Sequence, residues 1–200
     1  NTQEELKIFK ELSANLIIVV AYGKIIPKNF LNIAKFGFIN IHASLLPKWR
    51  GAAPIQRSII NLDQQTGITI MKINNKLDSG PICNSYKIDI SNNENAEIIS
   101  NKLSLLGAEK ILDNIDKILD DEIEFKEQND ADATYANKIE KLEGKIDWNS
   151  KAENIIGKIN GLYPSPGAWF IYKGERFKIL KAESAKSTPS QELRFVVAET

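Results

Sequence analysis

Residues 16–21, Leu-Ile-Ile-Val-Val-Ala, form an unbroken apolar and largely β-branched run. Such a run is the pattern of a strand buried on both faces, and strands of that kind occur in parallel sheets covered by helices. The feature directs the chain towards an α/β fold with a Rossmann-like parallel sheet. Tyr22-Gly23-Lys24 and Pro27 interrupt the run, and Phe36–His42 reads as a second strand. Pro47 and Gly51 mark an irregular stretch before a short helix over 53–60, and Thr69–Ile73 reads as a third strand. Beyond it, Ile99, Leu103, Leu106, Ile111, Ile115 and Ile118 recur at helical spacing, with Ser91 and Glu94 placed like a capping box in front of them.

From Gln128 to Lys145 the hydrophobic periodicity fades and polar residues dominate, which reads as an interdomain linker. Further on, Ala168–Tyr172 and Arg176–Leu180 flank Lys173-Gly174-Glu175 as a hairpin. The predicted organisation is therefore a first domain over 1–127, a linker over 128–145 and a smaller β-rich domain over 146–200. The chain opens at Asn1 without a methionine and closes on the apolar run 193–197, so both ends read as cut from something longer.

Composition excludes several classes of function. Of the 200 residues, 26 are Lys or Arg and 26 are Asp or Glu, so no global basic excess points to nucleic acid. Any such contact has to be local. Residues 94–130 carry eleven acidic side chains against four lysines, whereas 138–181 carry nine basic against five acidic, which makes the second part the candidate to face a polyanion. No apolar run approaches the roughly 18 residues that a membrane span needs. One cysteine, Cys83, and one histidine, His42, exclude an internal disulfide framework and leave zinc too few soft ligands, so no metal is expected. The single cysteine and the absence of a signal-peptide pattern at the start fit a cytoplasmic protein.

Asn40 and His42 sit two apart in the second predicted strand, with Ile39 and Ile41 between and beside them, so alternation puts both polar side chains on one face. The strand ends at His42, and strand ends in such sheets border the ligand crevice. A lone histidine there is as readily a satisfied core residue. Asp78, in the turn-like Leu77-Asp78-Ser79-Gly80-Pro81, has a similarly plain alternative, hydrogen bonding to its own backbone. Together, a carboxylate, an imidazole and a carboxamide supply a proton acceptor, a polariser and a donor for an acyl-type carbonyl. No serine or cysteine is placed as a nucleophile beside them, and Cys83 reads as apolar filler. Direct transfer between two bound substrates is the chemistry this set suits.

Asn40-Ile41-His42-Ala43-Ser44-Leu45-Leu46-Pro47, then Gly67-Ile68-Thr69-Ile70-Met71, then Leu77-Asp78-Ser79-Gly80 resemble, in order and approximate spacing, the formyltransferases that use 10-formyltetrahydrofolate. Within that superfamily Trp49-Arg50-Gly51-Ala52-Ala53-Pro54-Ile55-Gln56 is similar to the methionyl-tRNA formyltransferases, as are Ala133-Thr134-Tyr135-Ala136, Ile146-Asp147-Trp148 and Tyr163–Ala168. The resemblance implies that the catalytic domain lacks its first strand, helix and second strand, and that the OB-like C-terminal barrel is partial.

The resemblance also implies roles. Asn40, His42 and Asp78 would be the catalytic set, with Asn40 and His42 on the formyl oxygen and Asp78 orienting His42 and helping to remove the amine proton. Ser44, Leu45, Leu46 and Pro47 would line the folate site, and Lys48, Arg50, Lys138, Lys141 and Lys145 are candidates for phosphate contacts on an initiator methionyl-tRNA. Trp148, Tyr163, Trp169 and Phe170 read as core residues of the second domain or as platforms for bases. A monomer is expected. Two other readings stay open: formyl transfer to a small amine such as glycinamide ribonucleotide, and a folate-binding module without activity.

Overall fold

The computed structural model describes residues 2–184 and the backbone of 193–199. In chain order the elements are α1 (Gln3–Glu11), β1 (Ile17–Val20), α2 (Lys28–Leu31), β2 (Phe38–His42), β3 (Arg50–Gly51), α3 (Pro54–Ile60), β4 (Gln65–Lys72), β5 (Ile82–Asp89), α4 (Ala96–Leu119), β6 (Tyr135–Ala136), α5 (Ala152–Leu162), β7 (Ala168–Tyr172), β8 (Glu175–Ser184) and β9 (Leu193–Glu199). Two compact units divide the chain, and they interleave in sequence. The first holds residues 1–52, 67–87 and 103–136; the second holds 53–66, 88–102 and 137–200.

The first unit is built on a four-stranded sheet of order β1-β2-β4-β5. β1 and β2 run parallel, Ile17 opposite Phe38 and Val20 opposite Ile41. β4 runs antiparallel to β2, with His42 opposite Thr69 and Asn40 opposite Met71, so the parallel pairing stops at β2. An apolar run reports burial and carries no direction, which is why Thr69–Ile73 did not reveal this. β5 is a strand that the sequence reading missed. Its bonds, Lys72 N to Pro81 O and Ile90 N to Gln64 O, make it a hairpin partner of β4.

Burial of β1 also differs from expectation. Ile17 and Val19 join the cluster around Ile26, Phe30 and Phe38, whereas Ile18 and Val20, on the other face, are exposed. The strand buried on both faces is β4, whose residues from Thr66 to Met71 are all buried. On the opposite face of β2, Ile39 packs with Ile70 and Ile111, and Ile41 and Phe125 lean on them. Each fully buried aliphatic side chain of this kind contributes about 1.5–3 kcal/mol.

In the second unit, α5 covers the antiparallel sheet β7-β8-β9. Ile146, Ile155, Ile159, Ala168, Ile179 and Ala182 form its core. The β7–β8 hairpin turns at Lys173 and Gly174, both with positive φ, as the Lys-Gly pair predicts. Ahead of α4, Ser91 N donates to Glu94 Oε2 at 2.9 Å, so that half of the predicted capping box forms. The helix itself begins two residues after Glu94, where Asn95 Oδ1 accepts from Ile98 N at 3.0 Å. No helix among the described residues is long and apolar enough to cross a membrane.

Candidate active site

Alternation along β2 decides which side chains reach the site. With Ile39 committed to the α4 side and Phe38 to the other, Asn40 and His42 share the Phe38 face at the end of the strand. His42 is buried, and its Nε2 donates to the Trp49 carbonyl oxygen at 3.0 Å. That carbonyl can only accept, so it fixes a proton on Nε2 and turns Nδ1 towards Asp78. Nδ1 lies 3.8 Å from Asp78 Oδ2, beyond direct hydrogen-bond range. The group that orients the ring is therefore a backbone carbonyl, which no residue identity announces. Asn40 is half-buried, and its carboxamide makes no hydrogen bond among the described residues.

Asp78 does not fold back on its own turn. Its Oδ2 accepts from Gly51 N at 2.8 Å, and its backbone takes the left-handed φ of +43°. Gly51, at φ +122°, also allows residue 136 to come close, because a Cβ there would come within 2.9 Å of Ala136 O. Residues 50–51 pair in parallel with 135–136 as β3 and β6, and Trp49 N donates to Thr134 Oγ1 at 2.9 Å.

The segment Ser44–Pro47 is held from within. Thr69 Oγ1 donates to Ser44 O at 2.7 Å and accepts from Leu46 N at 3.1 Å, while Ser44 Oγ donates to Lys48 O at 2.6 Å. Lys48 N donates to Leu45 O and Thr134 N to Pro47 O. Several backbone groups of this loop are thus already engaged, which leaves the half-buried faces of Leu45 and Pro47 as the surface it offers.

Arg50 is 3 % exposed, and its Nε and Nη2 donate to Gln128 Oε1 at 3.0 and 2.8 Å. Nη2 also pairs with Asp130 at 2.8 Å. Its guanidinium braces the site instead of facing solvent, which corrects the expectation of a phosphate contact. Lys48, Lys138, Lys141 and Lys145 are exposed; Lys48 belongs to the first unit and the other three to the second. The region read as a linker begins at Gln128, and Gln128, Thr134 and Ala136 all bond within the first unit. Gln128 and Thr134 escaped the sequence reading, since a lone glutamine or threonine in a polar stretch carries no periodic signal.

Cys83 packs against the Ile39 cluster, and burial pushes its thiol up to about 11, which makes it a poor nucleophile. No group of three or more His, Cys, Asp or Glu side chains able to hold a metal occurs among the described residues. In the second unit Trp169 is buried with its indole N–H on Lys141 O, Phe170 packs on the core, and Trp148 stands half-exposed, edge-on to Phe170 at 5.5 Å.

Residues 1–115 match the family model described as formyl transferase, and 138–197 match the formyl transferase C-terminal domain. A protein of Pelagibacter ubique named methionyl-tRNA formyltransferase is 66 % identical over 181 residues, 90 % of this chain and 58 % of that protein. The chain spans 54 to 64 % of the length of the curated relatives it matches. Among solved structures, a methionyl-tRNA formyltransferase from Clostridium thermocellum aligns over all of this chain and 86 % of its own, with a TM-score of 0.72 and 21 % identity. An N-formyltransferase from Helicobacter canadensis, solved with folinic acid and dTDP-3-aminofucose, covers 84 % of this chain and 62 % of its own at TM-score 0.73 and 22 % identity. These last two likenesses concern the fold, and it is the match of the N-terminal family model over more than half the residues, on which Asn40, His42 and Asp78 all lie, that shows the chain belongs to the formyl transferase family.

Proposed function

We propose that the protein transfers the formyl group of 10-formyltetrahydrofolate to the α-amine of methionine esterified to initiator tRNA. The observation that carries this reading is the meeting of His42 and Asp78 at the end of β2, on the strand that presents an unengaged Asn40. The names of the relatives in the methionyl-tRNA formyltransferase group support the choice of acceptor.

In this reading the amine attacks the formyl carbon, and the carbonyl electron pair moves onto the formyl oxygen. Asn40 donates a hydrogen bond to that oxyanion, and so does His42 through Nδ1, the ring atom not committed to Trp49 O, in the doubly protonated form of the ring that carries a proton on both nitrogens. Asp78 accepts the proton that the amine loses, directly or through one water, and the proton is returned to N10 of the folate as the carbon–N10 bond breaks. The new amide bond and the released tetrahydrofolate balance the step. No covalent intermediate on the protein is needed.

The Ser44–Pro47 loop forms one wall of the folate site, with Leu45 and Pro47 facing the ligand and the buried Ser44 and Leu46 holding the loop in place, and Lys48, Lys138, Lys141 and Lys145 meet tRNA phosphates. Residues 1–127 carry the chemistry, 128–145 join it to the tRNA-binding part, and 146–200 belong to that part. The protein acts as a monomer in the cytoplasm. The test offers the full-length protein 10-formyltetrahydrofolate with methionyl-tRNA and glycinamide ribonucleotide in parallel. Formylation of methionyl-tRNA alone is the expected result. Transfer only to the small acceptor overturns the partner, and folate binding without transfer to either overturns the activity.

A further inference from the structure

We propose that Gln128 is a positioning residue that sets the Asp78 carboxylate for proton transfer, an inference that rests on the role given to Asp78 above. Both amide protons of Gln128 are spent on one loop: Nε2 donates to Asp78 O at 2.9 Å and to Gly80 O at 2.8 Å. Its Oε1 accepts twice from the buried Arg50. The hydrogen-bonding capacity of the amide is therefore saturated, and the charged donor polarises it, which strengthens the bonds on its far side.

The loop has reason to need such a hold. Asp78 takes a left-handed φ that is strained for a non-glycine residue, so contacts outside the loop must select it. At Gly80 a Cβ would collide with Lys72 O, so the loop lies against the end of β4. Residues 50 and 51 grip Asp78 from two sides: Gly51 N holds the carboxylate directly, and Arg50 holds the Asp78 carbonyl through Gln128. Sequence neighbours thus fix both the carboxylate and the peptide that carries it. A glutamate at 128 would satisfy Arg50 but present unprotonated oxygens to two carbonyls, and an asparagine would be one methylene too short to reach both sides.

The experiment is a cycle of variants in the full-length protein, with formylation of methionyl-tRNA measured at saturating 10-formyltetrahydrofolate. Gln128→Ala and Gln128→Glu are expected to lower kcat about 10- to 100-fold with KM for both substrates within about twofold, since a misplacement of about 1 Å carries a penalty of that order. In an Asp78→Ala background the same Gln128→Ala change should cost less than about twofold, because its effect passes through a carboxylate that is no longer there. Equal losses in both backgrounds would show a purely structural role and overturn the proposal, as would wild-type kcat in Gln128→Glu, the variant that keeps the Arg50 contact. An inactive parent protein would instead strike at the proposed function, and full activity in Asp78→Ala at the role of that carboxylate.

Discussion

The two units solve different problems with different materials. Around its site the first unit buries His42, Ser44, Arg50 and Thr69, and farther off Asn114, each bonded to a named partner. The second is organised around the aliphatic cluster of Ile146, Ile155, Ile159 and Ile179, and of its buried polar residues Ser58 bonds only to the turn of its own helix while Thr66 leaves its hydroxyl without a partner. Apolar contacts are non-directional and tolerate small displacements, whereas hydrogen bonds fix both distance and angle. Directional bonds from buried side chains accordingly concentrate around the candidate site, while apolar packing dominates the core of the second unit.

The comparison is broken most severely at the site itself. His42→Ala, Asn40→Ala and Asp78→Ala are each expected to lower kcat for methionyl-tRNA formylation at least about a hundredfold, about 2.7 kcal/mol or more of transition-state stabilisation. Steady-state rates on the full-length variants check this, and a loss below tenfold in any of them removes that residue from the set. In the second unit the corresponding cut is Ile159→Ala, at a residue 1 % exposed. It should cost about 2–5 kcal/mol of stability by leaving a cavity, read from denaturant unfolding, with little change in the kcat of the molecules that remain folded.

A smaller effect is expected at Thr69. Replacing it by valine keeps the shape but strands Ser44 O and Leu46 N, at about 1–3 kcal/mol. KM for 10-formyltetrahydrofolate should rise several-fold with kcat nearly unchanged, and Thr69→Ser should restore it. If kcat falls instead, Ser44–Pro47 is not a binding wall.

The smallest effect belongs to a surface contact of the second unit. Arg57 grips Glu143 with two bonds, at 2.6 and 3.1 Å, and this holds the Glu143 carboxyl below its usual range. Because the carboxylate is partly in solvent, Arg57→Ala should cost only about 1 kcal/mol. The folded carboxyl binds its proton less readily than the unfolded one, so the pair stabilises above the ordinary glutamate range and loses that contribution as pH falls through the lowered folded value. The Arg57→Ala deficit in thermal midpoint should therefore be full at neutral pH and shrink below about pH 4.

How much was legible follows the range of each interaction. The positions of β2, α4 and the β7–β8 hairpin were readable because hydrophobic period and turn residues are local signals. The pair Asn40 and His42 was readable on one face because strand alternation needs only two neighbours. β5 was missed although Ile82, Asn84, Tyr86 and Ile88 alternate with Cys83, Ser85 and Lys87, because no apolar run marks it. The exposure of Ile18 and Val20 was misread, since a run of apolar residues does not say how many faces are covered.

By itself the sequence determined the α/β class, the places of β2, α4 and the β7–β8 hairpin, and the nomination of Asn40, His42 and Asp78 as candidates, all of which follow from residue type, motif and short-range spacing. Tertiary structure alone decided that β4 runs against β2, that Trp49 lends a carbonyl to His42, that Arg50 turns inward, and that Gln128 reaches back 50 residues to the Asp78 loop. The physical reason is that these are backbone and long-range contacts: every residue but proline carries the same N–H and C=O, so which of them meet is settled only when the chain has folded.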